Sequence, residues 1–577
     1  MTVHPALVLF VTAGLVGVSR RGGARAGVLL TGTLGALAAA AALPHGAHWE
    51  YSVGAYALQL LRVDPLSHLF GLIFSLIAAI GTLYALGVGR RAEHAATLVY
   101  AGGALGVVYA GDWISAFVWW ELMAMASVVV VWSGNTDRAR AAGFRYLFVH
   151  VAGGSLFFIG LALHLATGGS LAFGPLGGGA GLAYGLILVG VAINAAIPPL
   201  HAWLPDAYPE ASITGTVFLS AFTTKTAVYV LIRVFPGSDL LVWAGIAMAL
   251  YGVVYAVLEN DIRRLLGYHI ISQVGYMVAG VGIGTPLALG GAAAHAFCHI
   301  LYKALLLMGA GAVMTATGRR KLTELGGIGR QMPLVVLLYA VGAFSISGVP
   351  LFNGFISKSM IITAAGDDGW GFAELLLTLA SVGTFLHTGL KLPYFTFFGP
   401  SRGLRLTRVP GHMIAAMGLA AICCVGLGVA PGWLYARLQT VVDYHPYTLD
   451  HVAGSLQLLG GTALGFWWLL SKLAGETTES LDTDWLYRKP VPVALAWLVG
   501  VAAATGRLAR VASQAVVRVA VAYAANPLSA VGRLGVGGTG NTDGVMPPYD
   551  VNRYRLPIGV TVMWVVLAVG LLALWVG

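Results

Sequence analysis

Apolar runs as long as a lipid bilayer is thick recur along almost the whole chain. A bilayer core of about 30 Å needs ~20 apolar residues per helix, and each run is bounded by charged residues, Gly or Pro. Only 10% of the 577 residues are charged and 58% are hydrophobic, whereas about 25% charged residues are typical of soluble domains. Because a backbone in lipid must satisfy its own hydrogen bonds, the runs predict helices. We therefore expect an all-α polytopic membrane protein.

The runs predict about sixteen transmembrane spans and a division of the chain into six parts. The spans lie near 5–19, 26–43, 65–88, 95–111, 113–132, 143–166, 180–200, 211–235, 239–258, 262–284, 286–315, 332–366, 373–398, 411–435, 453–473 and 557–576. The parts are three N-terminal spans (1–94), a first five-helix repeat (95–235), a second inverted repeat (239–398), two further spans (411–473), a linker with a lateral helix (474–556) and a last span (557–577).

The basic residues of the connecting loops predict the orientation of the chain. Alternate loops carry Arg20, Arg21, Arg25, Arg90, Arg91, Arg138, Arg140, Arg145, Arg263, Arg264, Arg319, Arg320, Lys321, Arg330, Arg402, Arg405 and Arg408, and the opposite loops of the core only Arg62, Arg233 and Arg437. Basic loops face the cytoplasm, which places both termini outside a bacterial or archaeal cytoplasmic membrane. We therefore attribute the net charge of +10 to the orientation of the chain in the membrane, and we expect no nucleic-acid partner.

Residues 474–556 differ from the rest. A polar stretch with Glu476, Glu479, Asp482 and Asp484 precedes a long Ala/Val run. Within that run Arg507, Arg510, Gln514 and Arg518 recur every three or four residues, which predicts a basic amphipathic helix on the cytoplasmic surface. Residues 491–506 alone could also enter the membrane. We expect 490–528 to lie along a neighbouring subunit and 534–550 to form a loop.

Ionisable side chains inside the spans are costly, so each one needs a reason. The main group is Glu121, Lys225, His295, His299, Lys303, Lys358 and Lys391, and the weaker group is His150, His164 and His387. Plain structural explanations exist for some of them. Glu121 could stay neutral or bond a neighbouring helix, Lys225 could reach toward the surface, and Lys391, near a helix end, could anchor there.

His295, His299 and Lys303 are spaced by four residues and therefore share one stripe of one helix. Three titratable groups on one stripe favour a proton relay. Two His at this spacing could also bind a metal, but a third ligand is not evident and Lys303 would repel a cation. We favour the relay and expect no metal site.

Two spans contain helix breakers near these charges. Pro198, Pro199 and Pro205 interrupt the seventh, and Gly348, Pro350 and Gly354 interrupt the twelfth. Proline frees backbone groups, which in a membrane must face protein or a wet cavity. The breaks lie five spans apart, so spans 4–8 and 9–13 are predicted to form inverted repeats, an arrangement suited to an ion pathway.

The same residues resemble the antiporter-like membrane subunits of respiratory complex I, Mrp-type sodium/proton antiporters and membrane-bound hydrogenases. The motifs that carry the resemblance are Trp119-Trp-Glu-Leu-Met, Pro199-Leu-His-Ala-Trp-Leu-Pro-Asp-Ala, Thr224-Lys-Thr-Ala-Val-Tyr-Val-Leu-Ile-Arg, Asp261-Ile-Arg-Arg-Leu-Leu-Gly-Tyr, His295-x3-His-x3-Lys303 and Gly354-Phe-Ile-Ser-Lys. They cover residues 65–435. The core is most similar to the D-type Mrp subunit, and the C-terminal part is similar to the extension of the most distal complex I subunit of this kind.

The resemblance implies roles for the buried charges. Glu121 resembles the fifth-span glutamate of the family, Lys225 the eighth-span lysine and Lys358 the lysine on the exit side. His295, His299 and Lys303 resemble the relay that links them, and the secondary candidates are Asn194, His201, Asp206 and Lys391. Asn194 stands where the family has a lysine that pairs with the glutamate. Either Lys225 has become the partner of Glu121, or proton uptake is passive.

These observations predict a proton- or sodium/proton-translocating subunit of a multisubunit membrane complex. The alternative is a membrane scaffold or energising subunit of a redox-driven or inorganic-carbon-accumulating complex. The chain has no motif for nucleotide, flavin, haem or iron–sulfur binding, and its three cysteines (Cys298, Cys423 and Cys424) lack a metal-site spacing. We expect no cofactor and no catalytic centre in this chain, so any redox chemistry would belong to its partners.

Overall fold

The computed structural model of the protein describes residues 2–19, 22–54, 56–176, 181–440, 443–473, 482–525, 550 and 557–576. The chain divides into two compact units, Met1–Asp484 and Trp485–Gly577. Some sequence predictions fall outside the described residues. These are the positions of Arg20 and Arg21, the polar stretch 474–481 with Glu476 and Glu479, and almost all of the predicted loop 534–550.

The first unit is built from helices at nearly every predicted span. In chain order they are α1 Pro5–Val18, α2 Gly23–Ala42, α3 Pro65–Tyr84, α4 Arg91–Tyr109, α5 Trp113–Trp132, α6 Asp137–Ala166, α7 Leu182–Ala195, α8 Trp203–Ala207, α9 Ile213–Ala221, α10 Thr223–Val234, α11 Asp239–Leu258, α12 Ile262–Ile283, α13 Pro286–Thr317, α14 Pro333–Ser347, α15 Asn353–Asp367, α16 Gly371–Thr384, α17 Gly411–Val429, α18 Gly432–Tyr435 and α19 Leu449–Leu469. The segments Phe385–Lys391 and Tyr394–Phe398 are π-helical.

Within the described residues, eleven helical segments are long and apolar enough to cross a membrane, and four shorter apolar helices accompany them. The predicted fold class, a polytopic helical membrane protein, is thereby confirmed. The number of sixteen spans, the six-part division and the inverted repeats remain predictions.

A short β-hairpin is a regular element that the hydropathy pattern does not indicate. Strand β1 Gly46–Val53 pairs antiparallel with β2 Tyr56–Val63. The hairpin joins α2 to α3, and Asp112 fixes it to the core because its Oδ2 accepts a hydrogen bond from the backbone N–H of Gln59 at 2.8 Å. Strands of this length carry too little periodicity to stand out beside twenty-residue apolar runs.

Both predicted helix breaks are confirmed. Helix α7 ends at Ala195, where Ala196 adopts the left-handed conformation, and the chain resumes as α8 after the Pro pair. Helix α14 ends before Gly348, at φ 73°, and α15 starts at Asn353. A third break, which the sequence did not reveal, separates α9 from α10 at Phe222 (φ −103°, ψ −67°).

Helices α12 and α13 form the centre of the first unit. The apolar stretch of α12 is entirely buried and that of α13 almost entirely so. Glycine allows α11 to approach α12 closely, since a Cβ on Gly245 would lie 2.3 Å from the backbone nitrogen of Ala279. Because α12 and α13 have no lipid-facing side, the polar groups they carry face other helices.

The second unit contains the helices α21 Pro490–Ala525 and α22 Ile558–Val576, and α20 Asp484–Arg488 leads into it. Helix α21 is continuous over 36 residues and buries none of them, and at 1.5 Å per residue it is about 54 Å long. The helix begins at the first residue of the predicted segment 490–528, and residues 526–528 lie outside the described part of the chain. That this helix lies laterally on the membrane surface remains a prediction.

Candidate functional site

Lys225 lies at the third helix break and is fully buried. Its Nζ donates hydrogen bonds to the Ser220 carbonyl at 2.7 Å and to the Thr224 hydroxyl at 3.1 Å. The broken helix thus presents a carbonyl to the ammonium group, which is how interrupted membrane helices bind cations. The side chain of Lys225 therefore stays in the interior and does not extend to the membrane surface, which was the structural explanation considered for it.

A cluster of hydroxyl groups surrounds the start of α10, next to Lys225. The backbone N–H of Thr223 donates to the Tyr100 hydroxyl at 2.9 Å, and the hydroxyls of Tyr100 and Thr223 lie 2.6 Å apart. Tyr146 extends the cluster, with its hydroxyl 3.4 Å from that of Thr223 and 2.9 Å from that of Ser127. The tertiary contacts therefore satisfy the N–H that the helix break frees.

His295 and His299 are buried side by side on α13, with ring centroids 6.2 Å apart. Both ring nitrogens of His295 are engaged, since Nδ1 is 3.0 Å from the Ser357 hydroxyl and Nε2 is 3.3 Å from that of Tyr302. Neither ring nitrogen of His299 has a hydrogen-bond partner in the part of the chain that the structure describes. Because both ring nitrogens of His295 already have partners, a metal ion bound by these two rings would have to replace one of those contacts.

Lys303 continues the stripe toward α12. It is fully buried and donates to the Leu266 carbonyl at 3.3 Å. The charges of Lys225, Lys303 and Lys358 all act on His299. The lysines and histidines therefore form one electrostatically connected series. We call Lys225, His299, His295, Lys303 and Lys358 the central row.

Lys358 lies on α15, just after the second predicted break. Its Nζ donates to the Ile346 carbonyl of the broken α14 at 2.8 Å and lies 5.2 Å from the centroid of the Tyr276 ring. Beside it is a partly open cavity of about 280 Å³, lined by polar side chains that include Ser347, Glu374, Ser381, Asp450 and His451. One water occupies about 30 Å³, so the cavity holds several.

Glu121 and Asn194 stand apart from the central row. The Glu121 carboxylate packs against Gly154 and is half buried. Within the described ranges, its Oε1 has no hydrogen-bond partner, and neither do the side-chain oxygen and nitrogen of the buried Asn194. In the described part of the chain Glu121 forms no ion pair, and Lys225 bonds to Ser220 and Thr224 instead. The structure thus gives no support to Lys225 as the replacement partner of Glu121.

His201 and Asp206 have well-defined partners near the first break. Asp206 accepts two hydrogen bonds from Arg145, at 2.7 and 2.8 Å. His201 Nε2 lies 3.2 Å from Asp482 Oδ1, with both side chains fully buried. Tyr251 and Tyr268 donate to the same carboxylate, at 2.5 and 2.6 Å.

Lys391 and His387 lie on the π-helical segment after α16. Both are buried, and Lys391 donates to the Val257 carbonyl at 2.5 Å. His387 contacts His269 of α12, with ring centroids 5.5 Å apart. By contrast, His150 bonds the Tyr146 carbonyl at 2.9 Å, and His164 is half buried at the end of α6 and bonds the Ser170 carbonyl at 3.0 Å.

The structure therefore brings most predicted residues together and adds others. The members that sequence reasoning missed are polar side chains of α12 and its neighbours: His269, Gln273, Tyr276, Tyr302, Ser357 and Ser381. Tyr302 links two of them, because its hydroxyl donates to Gln273 Oε1 at 3.3 Å. A signal existed, since His269 and Gln273 are spaced by four within a predicted span.

Sequence comparisons with known proteins agree on one family of membrane subunits. A sequence model described as NADH:quinone oxidoreductase/Mrp antiporter, transmembrane, matches residues 110–386. The N-type subunit of the NADH-quinone oxidoreductase of Desulforudis audaxviator is 30% identical over 469 residues, 74% of this chain and 92% of that protein. The D-type subunit of the Na(+)/H(+) antiporter of Alkalihalophilus pseudofirmus is 32% identical over 322 residues, 52% of this chain and 64% of that one.

A solved structure shares the fold. A chain of respiratory complex I from Thermus thermophilus with bound aureothin superposes with a TM-score of 0.65 and 26% identity, over 76% of this chain and 100% of that one. Together with the helices broken beside buried lysines, these comparisons identify an integral membrane protein of the antiporter-like class. The chain belongs to the NADH:quinone oxidoreductase/Mrp antiporter membrane-subunit family.

Proposed function

We propose that this chain is a proton- or sodium/proton-translocating subunit of a multisubunit membrane complex, and that the central row carries the proton. The observation that carries the proposal is the row itself, three buried lysines and two buried histidines, with two of the lysines held by carbonyls at helix breaks.

The mechanism follows from the cost of charge in a dry interior. An isolated buried ion is expensive, and like charges within a few ångströms repel strongly at low dielectric. The members of the central row therefore cannot all be protonated together, and a proton added at one lysine displaces one at the next. His299 forms no side-chain hydrogen bond with the described residues and can pass a proton between Lys225 and Lys303.

Release would occur through the cavity beside Lys358, and the loop charges support an outer position for that cavity. Glu374 and Asp450 line it near the predicted outer ends of α16 and α19. In this orientation both termini are outside and the loops rich in arginine are in the cytoplasm.

Partners follow from the family and from the second unit. The relatives are subunits of an NADH-quinone oxidoreductase and of a Na(+)/H(+) antiporter, which supports other integral membrane subunits as partners. Helix α21 buries nothing within its own chain although it carries exposed Trp497, Leu498 and Leu508. We infer that it lies along a neighbouring subunit as a clamp. A structure of the complex in which α21 contacts only lipid would refute this inference.

The second candidate function is an energising subunit of a redox-driven or inorganic-carbon-accumulating complex. The similarity to a NADH-quinone oxidoreductase subunit favours its redox form. The genes beside this one discriminate. Neighbouring genes for small Mrp-type subunits would indicate an antiporter. Genes for dehydrogenase or hydrogenase subunits would indicate a redox pump, and a gene for a large soluble zinc protein would indicate carbon accumulation.

The function is tested by Lys225→Met and Lys358→Met in the complex reconstituted into liposomes. Each variant should assemble and lose proton translocation, measured by a pH-sensitive dye, because methionine keeps the side-chain length without the proton. Tyr84→Phe is the matched control. It also leaves a buried carbonyl without its donor, that of Met308 at 2.8 Å, but removes no member of the central row. Normal transport in both lysine variants would reject the proposed function.

A further inference from the structure

Two histidines outside the central row are in edge-to-face contact in the interior. His269 of α12 and His387 of the π-helical segment are both buried, with ring centroids 5.5 Å apart. Among the described residues, none forms a hydrogen bond with any of their four ring nitrogens. Buried polar groups are almost always satisfied, so a pair of unsatisfied imidazoles requires either water or a function.

Buried lysines act electrostatically on both rings of the pair. Lys303 and Lys358 act on His269, and Lys391 acts on His387. Of the three titratable residues on the α13 stripe, Lys303 is the one nearest the predicted cytoplasmic end of the helix. It donates a hydrogen bond to the carbonyl of Leu266, which lies one helical turn from His269 on α12. We therefore place these groups in the order Lys303, His269, His387 and Lys391. This series leaves the central row at Lys303.

The far end of this series reaches the basic face of the protein. Lys391 donates to the Val257 carbonyl near the end of α11, and the charge of Glu259, two residues further on, acts on Lys391. Glu259 in turn pairs with Arg264 at 3.2 Å. Arg264 belongs to the loops that the charge distribution assigns to the cytoplasm. We call Lys303, His269, His387, Lys391 and Glu259 the inner branch.

The backbone gives a second, independent observation. His387 and Lys391 both lie on the π-helical segment Phe385–Lys391. A π-turn is rare, and where it occurs inside a helix it is frequently part of a functional site. The Thr388 hydroxyl on the same segment is also buried and has no hydrogen-bond partner among the residues that the structure describes. The unsatisfied atoms thus accumulate where the helix is widened, as expected for a site that holds water.

We propose that the inner branch is the cytoplasmic proton-uptake channel of this subunit, running from Glu259 through Lys391, His387 and His269 to Lys303. This inference rests on the proposed function and deepens it. It also explains how uptake proceeds in a chain where Asn194 replaces the family lysine and Glu121 lies outside the central row. Uptake through the inner branch would deliver the proton to Lys303, which belongs to the central row, and release would follow at Lys358.

The first experiment measures proton translocation by the reconstituted complex carrying His269→Leu, His387→Leu or Lys391→Met. Removing a proton-transfer group should lower the rate about a hundredfold. Because the two rings form no hydrogen bonds with the described residues, the leucine variants should unfold no more easily than the wild type. His387→Gln, which bonds water but does not titrate, is the second variant if His387→Leu fails to assemble. His94→Leu is the matched control, since buried His94 bonds the Val88 carbonyl at 3.0 Å. It should lose stability but not transport.

The second experiment tests sidedness. With Cys298, Cys423 and Cys424 replaced by alanine, His387→Cys and Lys391→Cys should react with a membrane-impermeant methanethiosulfonate only from the cytoplasmic side. Ser455→Cys, at the cavity beside Lys358, should react only from the opposite side. Reaction of the first two from the outer side would overturn the proposal.

The outcomes separate the two proposals. If the variants of the inner branch pump at the wild-type rate while Lys358→Met does not, the inner branch is wrong and the proposed function stands. If Lys358→Met and Lys225→Met also pump normally, the proposed function itself fails.

Discussion

Replacing Asp482 by asparagine should lower the free energy of unfolding of the Met1–Asp484 unit by about 3 kcal/mol. The change keeps the shape of the side chain and removes its charge. Asp482 lies in the segment after α19, and its fully buried carboxylate accepts hydrogen bonds from Tyr251 at 2.5 Å and Tyr268 at 2.6 Å, beside His201 at 3.2 Å. Through these contacts Asp482 itself is attached to the core next to the first helix break.

The magnitude follows from the kind of hydrogen bond. A bond to a charged group contributes about 1.5–3 kcal/mol and a neutral one about 0.5–1.5, so each tyrosine bond loses about 1 kcal/mol. Loss of the negative charge 3.2 Å from His201 Nε2 supplies the remaining ~1 kcal/mol. The total is smaller than the cost of deleting the side chain, because the amide oxygen still accepts a bond.

The pH dependence has a defined sign. Burial raises the pKa of the Asp482 carboxyl, but the hydrogen bond and charge of His201 and the two tyrosine hydroxyls outweigh this effect and hold the pKa well below its usual range. The folded-state pKa is therefore below the unfolded value of about 3.9. The stabilisation is complete above about pH 4 and is lost as the pH falls through the folded-state pKa.

The assay is unfolding of the purified protein in mixed micelles, followed by circular dichroism at pH 7 and at lower pH. Asp443→Asn is the matched control, because Asp443 lies 3.1 Å from His445 but both side chains are more than four-fifths exposed. It should change the stability by less than about 0.5 kcal/mol. Equal effects of Asp482→Asn and Asp443→Asn, or a difference that does not shrink in acid, would refute the reasoning.

Two further predictions concern packing and an ion pair. Gly354→Ala should destabilise the protein by about 3 kcal/mol or more, because the new Cβ would lie 1.7 Å from the Ser345 carbonyl oxygen. Gly371→Ala is the control. A Cβ at Gly371 has no atom within 4 Å, so this variant should be neutral in the same unfolding assay. Asp206→Asn should cost about 2 kcal/mol, because it weakens the double hydrogen bond from Arg145. An unfolding curve equal to that of the wild type would contradict either expectation.

The sequence predicts what depends on local chemistry. Apolar length specifies the helices, and a spacing of four residues places His295, His299 and Lys303 on one stripe of α13. Proline and glycine locate the breaks after α7 and α14, because they change the backbone itself. These features require no knowledge of which helices are neighbours.

The rest depends on contacts between distant parts of the chain. The break at Phe222 contains neither proline nor glycine. It is stabilised by the Tyr100 hydroxyl from α4 and by the ammonium group of Lys225. The carboxylate of Asp482 is bound by groups from α11, α12 and the first break, which no local pattern connects. The separation of Glu121 from Lys225 likewise follows only from helix packing.

A density map of the assembled complex that shows ordered water tests the central claim most directly. We expect water to connect Lys225 with His299 and Lys303, and to fill the space around His269 and His387 and the cavity beside Lys358. Dry, apolar gaps between these groups would contradict a proton pathway through them.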